Sequence, residues 1–359
     1  MECWPSGGFW LDGDGVDHVL PPDGLGQALS VATGYSHSCA VLIDSTVSCW
    51  GEVFNSFWNL PPPPDLPLAT AVFAGPLHSC LIAASSRAVT CWGGKDGDGN
   101  ELTGGAAIAP AAASPAIDMA LGWYISCVLR PSRAQVFCWG TSVNEIAFTH
   151  TRDFSDQDPV SILAAGQARA CVVLGKTRSL QCWLLPSGAA DPALPSNFGP
   201  ALSVAVGSEG HACAVKASGE VLCWGDDQDR LNEIKDVPAD FAATAVYNYG
   251  EYVYCALAGS GTVRCWGIPV RDGWMRSSAG PPVITAATAL YHGCAITRQG
   301  AAGTRSDAGG RAAAAAPLCD MIHPAQSHTP ALPCVREHLH ASLDATCLRI
   351  EPHICQRQM

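Results

Sequence analysis

Charge is scarce in this sequence of 359 residues: Asp, Glu, Lys and Arg together make 14%, and the net charge is -12 at pH 7. Without a basic patch to neutralise phosphates, no nucleic-acid-binding surface is expected. No polybasic segment suits an anionic membrane surface. The apolar runs are Ala-rich, broken by Pro and shorter than the about 18 residues a membrane-spanning helix requires, so no membrane segment is expected. The sequence also lacks a CxxC pair, an HExxH, a G-x-S-x-G, a phosphate-binding glycine loop and an N-x-S/T sequon. These absences remove the usual signatures of zinc, hydrolase and nucleotide chemistry, and no cofactor or metal is expected. Long helix-type charge patterns are missing as well. With 36 Gly and 26 Pro, the composition favours many short strands joined by turns.

Cysteine, by contrast, is abundant. Eighteen is far more than a reduced cytosolic protein usually keeps, which points to an extracellular or cell-surface setting. Yet Met1 is followed by neither a charged n-region nor an apolar h-region, so no signal peptide is read. Together these facts predict a fragment, a processed chain or a truncated gene.

The cysteines mark a repeat. Six full copies read VATGYSHSCAVLIDSTVSCWG, VFAGPLHSCLIAASSRAVTCWGG, MALGWYISCVLRPSRAQVFCWGT, LAAGQARACVVLGKTRSLQCWLL, VAVGSEGHACAVKASGEVLCWGD and VYNYGEYVYCALAGSGTVRCWGI. A seventh, ATALYHGCAITRQG, stops before any Cys-Trp. The first Cys falls at 39, 80, 127, 171, 213, 255 and 294. Each copy reads as an apolar strand ending near Gly, a second strand carrying the first Cys, a turn, and a third strand ending in Cys-Trp. The segment that follows can supply a fourth, outer strand. Such a period suits the blade of a β-propeller. The N-terminus begins in the middle of the motif, at Cys3-Trp4, and so supplies the third strand that the seventh copy lacks. The expected fold is all-β: a seven-bladed propeller over residues 1–299, closed by the N-terminal strand, then a low-complexity linker at 300–316 and a small Cys-rich tail at 317–359.

Within copies the two cysteines are 10 or 11 residues apart, and antiparallel strands joined by a short turn place such residues opposite one another. The expected bridges are Cys39–Cys49, Cys80–Cys91, Cys127–Cys138, Cys171–Cys182, Cys213–Cys223 and Cys255–Cys265, with Cys3–Cys294 fastening the ring. Cys319, Cys334, Cys347 and Cys355 form two further bridges of open connectivity in the tail. The tail also holds five His, but its spacings match no zinc signature. The Trp after each second Cys is expected to fill the gap between adjacent blades. The Gly that usually follows it is expected to take a turn conformation, Leu184 being the departure.

The G-x-x-H-x-C-A-hydrophobic and V-x-C-W-G patterns resemble the regulator of chromosome condensation repeat superfamily. The Cys-bearing variant is similar to the ectodomain propellers of crinkly-type receptor kinases and to the propeller-type β-lactamase inhibitor protein. The resemblance covers residues 1 to about 299 and implies a propeller whose loops bind protein partners. A nuclear member of the superfamily exchanges nucleotide on a small GTPase, so guanine nucleotide exchange or a chromatin-associated role is an alternative. That member carries basic extensions and no such Cys ladder, and no kinase motif occurs here.

Two residue sets could carry chemistry. His37, His78, His211 and His292 each lie two residues before a first Cys, where the other copies have Ile125, Arg169 and Val253. One residue per blade does not converge as a catalytic site must, so a structural role bonding the backbone is expected. Acidic turns at Asp12–Asp17, Asp96–Asn100 and Asp226–Asp229 match no complete calcium loop and read as solvated turns. An enzyme gathering residues from several blades is the remaining alternative; no catalytic residue is named.

The positions between the Gly and the His vary between copies and sit on the turn joining the first two strands, all at one end of the ring. They include Tyr35, Leu77, Trp123, Tyr124, Glu209, Tyr252 and Tyr291. Aromatic side chains on exposed turns are what an interface core prefers. The expected function is non-catalytic binding of a protein or peptide through this aromatic, partly acidic face.

Overall fold

The computed structural model describes residues 2–5, 21–22, 24–34, 37–51, 62–94, 105–142, 146–207, 210–225, 234, 237, 241–248, 253–267, 283–288 and 292–297, with the backbone alone for 2–5, 283–288 and 292–297. The chain divides into two compact units, Met1–Gly300 and Ala301–Met359. Everything described lies in the first.

After an opening strand, Glu2–Pro5 (β1), a three-strand meander recurs. Its strands are Ala28–Thr33 (β2), His37–Leu42 (β3) and Val47–Gly51 (β4), then Ala69–Ala74 (β5), His78–Ala83 (β6) and Val89–Gly93 (β7). The third copy has Asp118–Leu121 (β8), Ile125–Leu129 (β9), Gln135–Thr141 (β10) and a fourth strand, Ala147–Asp153 (β11). Val160–Ala165 (β12), Arg169–Leu174 (β13) and Leu180–Leu184 (β14) follow, then Ala201–Val206 (β15), His211–Lys216 (β16) and Val221–Gly225 (β17). Ala243–Asn248 (β18), Val253–Ala258 (β19) and Val263–Gly267 (β20) make the sixth copy, and Val283–Thr288 (β21) and His292–Thr297 (β22) open the seventh. Within each copy the strands pair antiparallel in chain order, and β1 joins the last copy in the order β1-β22-β21. An outer fourth strand occurs among the described residues only in the third copy.

The middle strand of each copy is apolar on both faces, a pattern that requires cover from both sides. β6, β9 and β13 are buried at every position. The cover comes from the next copy. Val41 packs in one cluster with Leu81 and Trp92, Ile82 with Val128 and Trp139, and Ile125 with Val172 and Trp183. The series continues with Val173 beside Ala214 and Trp224, and Val215 beside Ala256 and Trp266. Consecutive sheets are therefore stacked face to face in chain order, the packing of a β-propeller. In each of these five joints the repeated Trp fills the gap, as its spacing predicts.

Six bridges form as expected, Cys39–Cys49, Cys80–Cys91, Cys127–Cys138, Cys171–Cys182, Cys213–Cys223 and Cys255–Cys265. In each the two residues are register partners on neighbouring strands. Cys3 is the register partner of Cys294, but their side chains lie outside the described residues, as do the tail cysteines.

Two backbone devices join copy to copy. The hairpin between second and third strands holds a residue at positive φ: Ser45 (67°), Arg87 (57°), Arg133 (60°), Arg178 (56°) or Gly219 (89°). The carbonyl of each accepts the N–H that opens the next copy, from Ala69, Ala116, Val160, Ala201 and Ala243 respectively, at 2.7–2.9 Å. At the other end of the first strand, glycines of successive copies nearly touch. A Cβ on Gly122 would lie 2.0 Å from the Gly166 oxygen, and one on Gly166 would lie 2.1 Å from that of Gly207. Both neighbours are backbone, so neither can step aside. Gly166→Ala is expected to destabilise the protein by about 2 to 3 kcal/mol, read by denaturant unfolding. Gly26→Ala, where nothing lies within 4 Å, should leave the midpoint nearly unchanged.

Candidate functional site

The turn between first and second strands is described in three copies, as Pro76–Leu77, Trp123–Tyr124 and Gln167–Ala168. Each is held by the end of its own third strand. Gly94 N–H donates to the Leu77 carbonyl, Thr141 N–H to that of Tyr124, and Leu185 N–H to that of Ala168, all at 2.8 Å. This close passage explains the Gly after Cys-Trp. Gly140 has φ +136°, and a Cβ there would lie 2.0 Å from the Tyr124 oxygen.

Of the predicted contact residues, Trp123 and Tyr124 share one turn, both half-buried, with ring centroids 6.3 Å apart and planes inclined at 46°. Leu77 departs from expectation. It is 3% exposed, because the apolar side chain turns inward at a half-buried loop, and it presents no contact surface. Tyr35, Glu209, Tyr252 and Tyr291 lie outside the described residues.

The histidines bond differently from the expected backbone role. His37 Nε2 lies 2.7 Å from Ser79 Oγ, and His78 Nε2 lies 2.8 Å from Ser126 Oγ. In both pairs the Ser belongs to the next copy and precedes its first Cys. Ser126 donates onward to the Ala106 carbonyl at 2.9 Å, which also accepts from Trp139 Nε1 at 3.1 Å. With its own proton committed, Ser126 accepts from His78, which places that proton on Nε2. His37 and His78 are thus bolts between sheets. Among the described residues, no group of three His, Cys, Asp or Glu could hold a metal ion.

The fourth copy changes every member of this bolt together. Arg169 replaces His, Ala212 replaces the next copy's Ser, and Asp191 replaces the bare carbonyl. Arg169 Nε lies 2.8 Å from Asp191 Oδ2 and its Nη2 donates to Oδ1 at 3.1 Å, with both side chains at most 1% exposed. Arg169 Nη1 also donates to the Gly210 carbonyl. Asp191 further accepts from Trp224 Nε1 and Ala193 N–H, each at 3.0 Å. The longer side chain thus passes the small Ala212 and reaches the acceptor directly. Paired in this way, neither residue is left as an uncompensated buried charge. Between the third and fourth copies, Ile125 and Ala170 are both apolar, and no polar bolt joins them. There Arg152 of β11 lies over the Trp183 ring at 4.8 Å and donates to the Gly188 carbonyl at 3.3 Å.

Burial holds the His78 ring well below the ordinary imidazole value of 6.5, at about 4. The folded state resists a proton that the unfolded chain accepts. Stability from this group is therefore complete above about pH 6.5 and falls as pH drops toward 4, by about 3 kcal/mol. A denaturant series at pH 7 and pH 4 should show a shallower loss in His78→Gln than in the unaltered chain; equal slopes would contradict the assignment.

Residues 202–230, covering most of the fifth copy, match the family model described as the regulator of chromosome condensation (RCC1) repeat. Similar solved structures include the CRINKLY WD40 ectodomain of the Arabidopsis thaliana receptor kinase ACR4, 22% identical over 69% of this chain and 82% of that one, with TM-score 0.51. The entire ectodomain of the Physcomitrella patens receptor kinase CR4 is 20% identical over 77% of this chain and 71% of that one, with TM-score 0.54. Prp20p from Saccharomyces cerevisiae, studied for its binding to Gsp1p and histones, is 17% identical over 82% of this chain and 90% of its own, with TM-score 0.55. The chain thus carries an RCC1-type repeat on a disulfide-bearing β-propeller.

Proposed function

We propose that this chain is a non-catalytic binding module which engages a protein or peptide through the turns joining its first and second strands. The observation that carries the reading is the Trp123–Tyr124 pair. Two large aromatic side chains stand half-exposed on a turn whose backbone is pinned by Thr141 N–H. Rigid amphipathic rings offer large contact area at low entropic cost. The bolts described above give the buried His37, His78, Arg169 and Asp191 a structural role. Six disulfides favour an oxidising, extracellular or cell-surface setting. Trp123→Ala with Tyr124→Ala should abolish capture of partners from extracellular fluid, at roughly tenfold or greater loss per hot-spot residue, without lowering the melting temperature. Undiminished capture would refute the assignment.

We also infer that the sheets close into a seven-bladed ring over residues 1–299, followed by a linker at 300–316 and a Cys-rich tail at 317–359. Support comes from the β1-β22 pairing, which sets Cys3 opposite Cys294. The bolt pattern in the sequence continues across the ends, since a His at 292 would be followed by Ser38 of the first copy. Peptide mapping of unreduced protein should recover Cys3 linked to Cys294, and such a bridge stabilises a long loop by roughly 5 kcal/mol in the entropic view. Deleting residues 1–6 should lower stability far more than cutting after Gly300. A free Cys3 would show that the ends do not share a sheet.

A further inference from the structure

The fourth strand of the third copy, β11, is the last strand of its sheet, and among the described residues none pairs with its outer edge. Phe154 N–H donates to the Ala134 carbonyl and the Ile146 carbonyl accepts from Ser142 N–H, so the even-numbered residues of this strand bond inward to β10. The peptide groups of Ala147, Thr149, Thr151 and Asp153 therefore point away from the sheet. All four residues are exposed, and no described residue bonds their outward N–H and C=O groups. Seven residues is long for an uncovered edge, and such edges are templates for another strand.

We propose that this edge pairs with the same edge of a second copy of the chain, antiparallel about a two-fold axis at His150. The strand's own pattern selects that occupant and register. Centring the axis on His150 uses all four outward residues, with Thr149 opposite Thr151 of the second copy and Ala147 opposite its Asp153. Threonines facing each other across strands are a favourable pair. No two like charges meet: Arg152 stands opposite Phe148, and Asp153 stands opposite Ala147 with its Oδ1 already accepting from Gln135 Nε2 at 2.7 Å. Just outside the strand, Ile146, an exposed large apolar side chain at 63%, falls opposite Phe154. His150 meets its own counterpart, and both rings are neutral at pH 7, since burial and the Arg152 charge hold this imidazole below its ordinary value. The contact is isologous, as a closed dimer requires. It is also independent of the aromatic turns, because it lies on the outer edge of the sheet.

Sedimentation of the intact chain over a dilution series tests the pairing. The mass should rise from 37.4 kDa toward twice that value as concentration increases. Thr149→Pro and Thr151→Pro each remove only an outward N–H, and edge positions tolerate proline. Both variants should keep the melting temperature and stay at the single-chain mass, while Thr149→Val, which keeps the N–H, should still dimerise. Hydrogen exchange on the unaltered chain gives a second readout that does not depend on the variants folding. Amides of Ala147, Thr149, Thr151 and Asp153 should slow with concentration, while those of Phe148, His150 and Arg152 are protected throughout. A single-chain mass at every concentration overturns the proposal. So does a dimer that survives both prolines, or protection of the four amides that appears only when a different protein is added.

Discussion

Each sheet whose side chains are described has a middle strand apolar on both faces, and none of these sheets can be stable alone. Everything else follows from the need to cover one copy with the next. The middle strand supplies the buried surface, the Trp after the second Cys fills the gap, and the glycines at the end of the first strand let successive backbones approach. A solitary copy would leave Leu81 or Val172 in water on one side. Stability in such an array is therefore a property of the joints as much as of the units.

The joints are not identical, and their differences are chemically coherent. Where His37 and His78 are followed in the next copy by Ser, the two side chains meet at 2.7–2.8 Å. Where it has Arg followed by Ala, the arginine finds an aspartate instead. Where it has Ile followed by Ala, the junction is apolar and an additional outer strand lies against it. The polar group and its acceptor change together because a buried donor or charge left alone is more costly than either complete arrangement. At the fifth joint His211 is followed by Tyr254, a buried phenol stacked 6.2 Å from Trp266 whose acidity burial suppresses.

Periodicity made the architecture legible. Spacing between cysteines predicted the six hairpin bridges, and strand register put them where antiparallel geometry requires. The inward turn of Leu77 was not legible, since an apolar residue on a variable turn has the same sequence signature whether it faces solvent or core. Nor was Asp191, which lies in a segment with no repeat and gains its role only from the arrival of Arg169 and Trp224. The His–Ser link did leave a trace, because the residue before one Cys varies in step with the residue two before the previous one. Reading it requires knowing that consecutive copies are neighbours, which is itself a conclusion about the fold. A fourth strand follows from no local pattern that the other copies share, and among the described residues it appears only where Ala147–Asp153 alternates between half-buried and exposed.

The carbonyls at the hairpin tips have a consequence for how such a protein can change over time. Arg87, Arg133 and Arg178 hold an uncommon backbone conformation so that each tip reaches the start of its successor. Lengthening a tip would carry that carbonyl out of range and loosen two units at once. The spacing inside a hairpin is accordingly almost constant, at 10 or 11 residues. The distance from one copy to the next is freer, and the variation falls in the stretches after Cys-Trp. Those stretches are where insertions can accumulate without disturbing the joints, so the rim can acquire new loops while the interior stays the same.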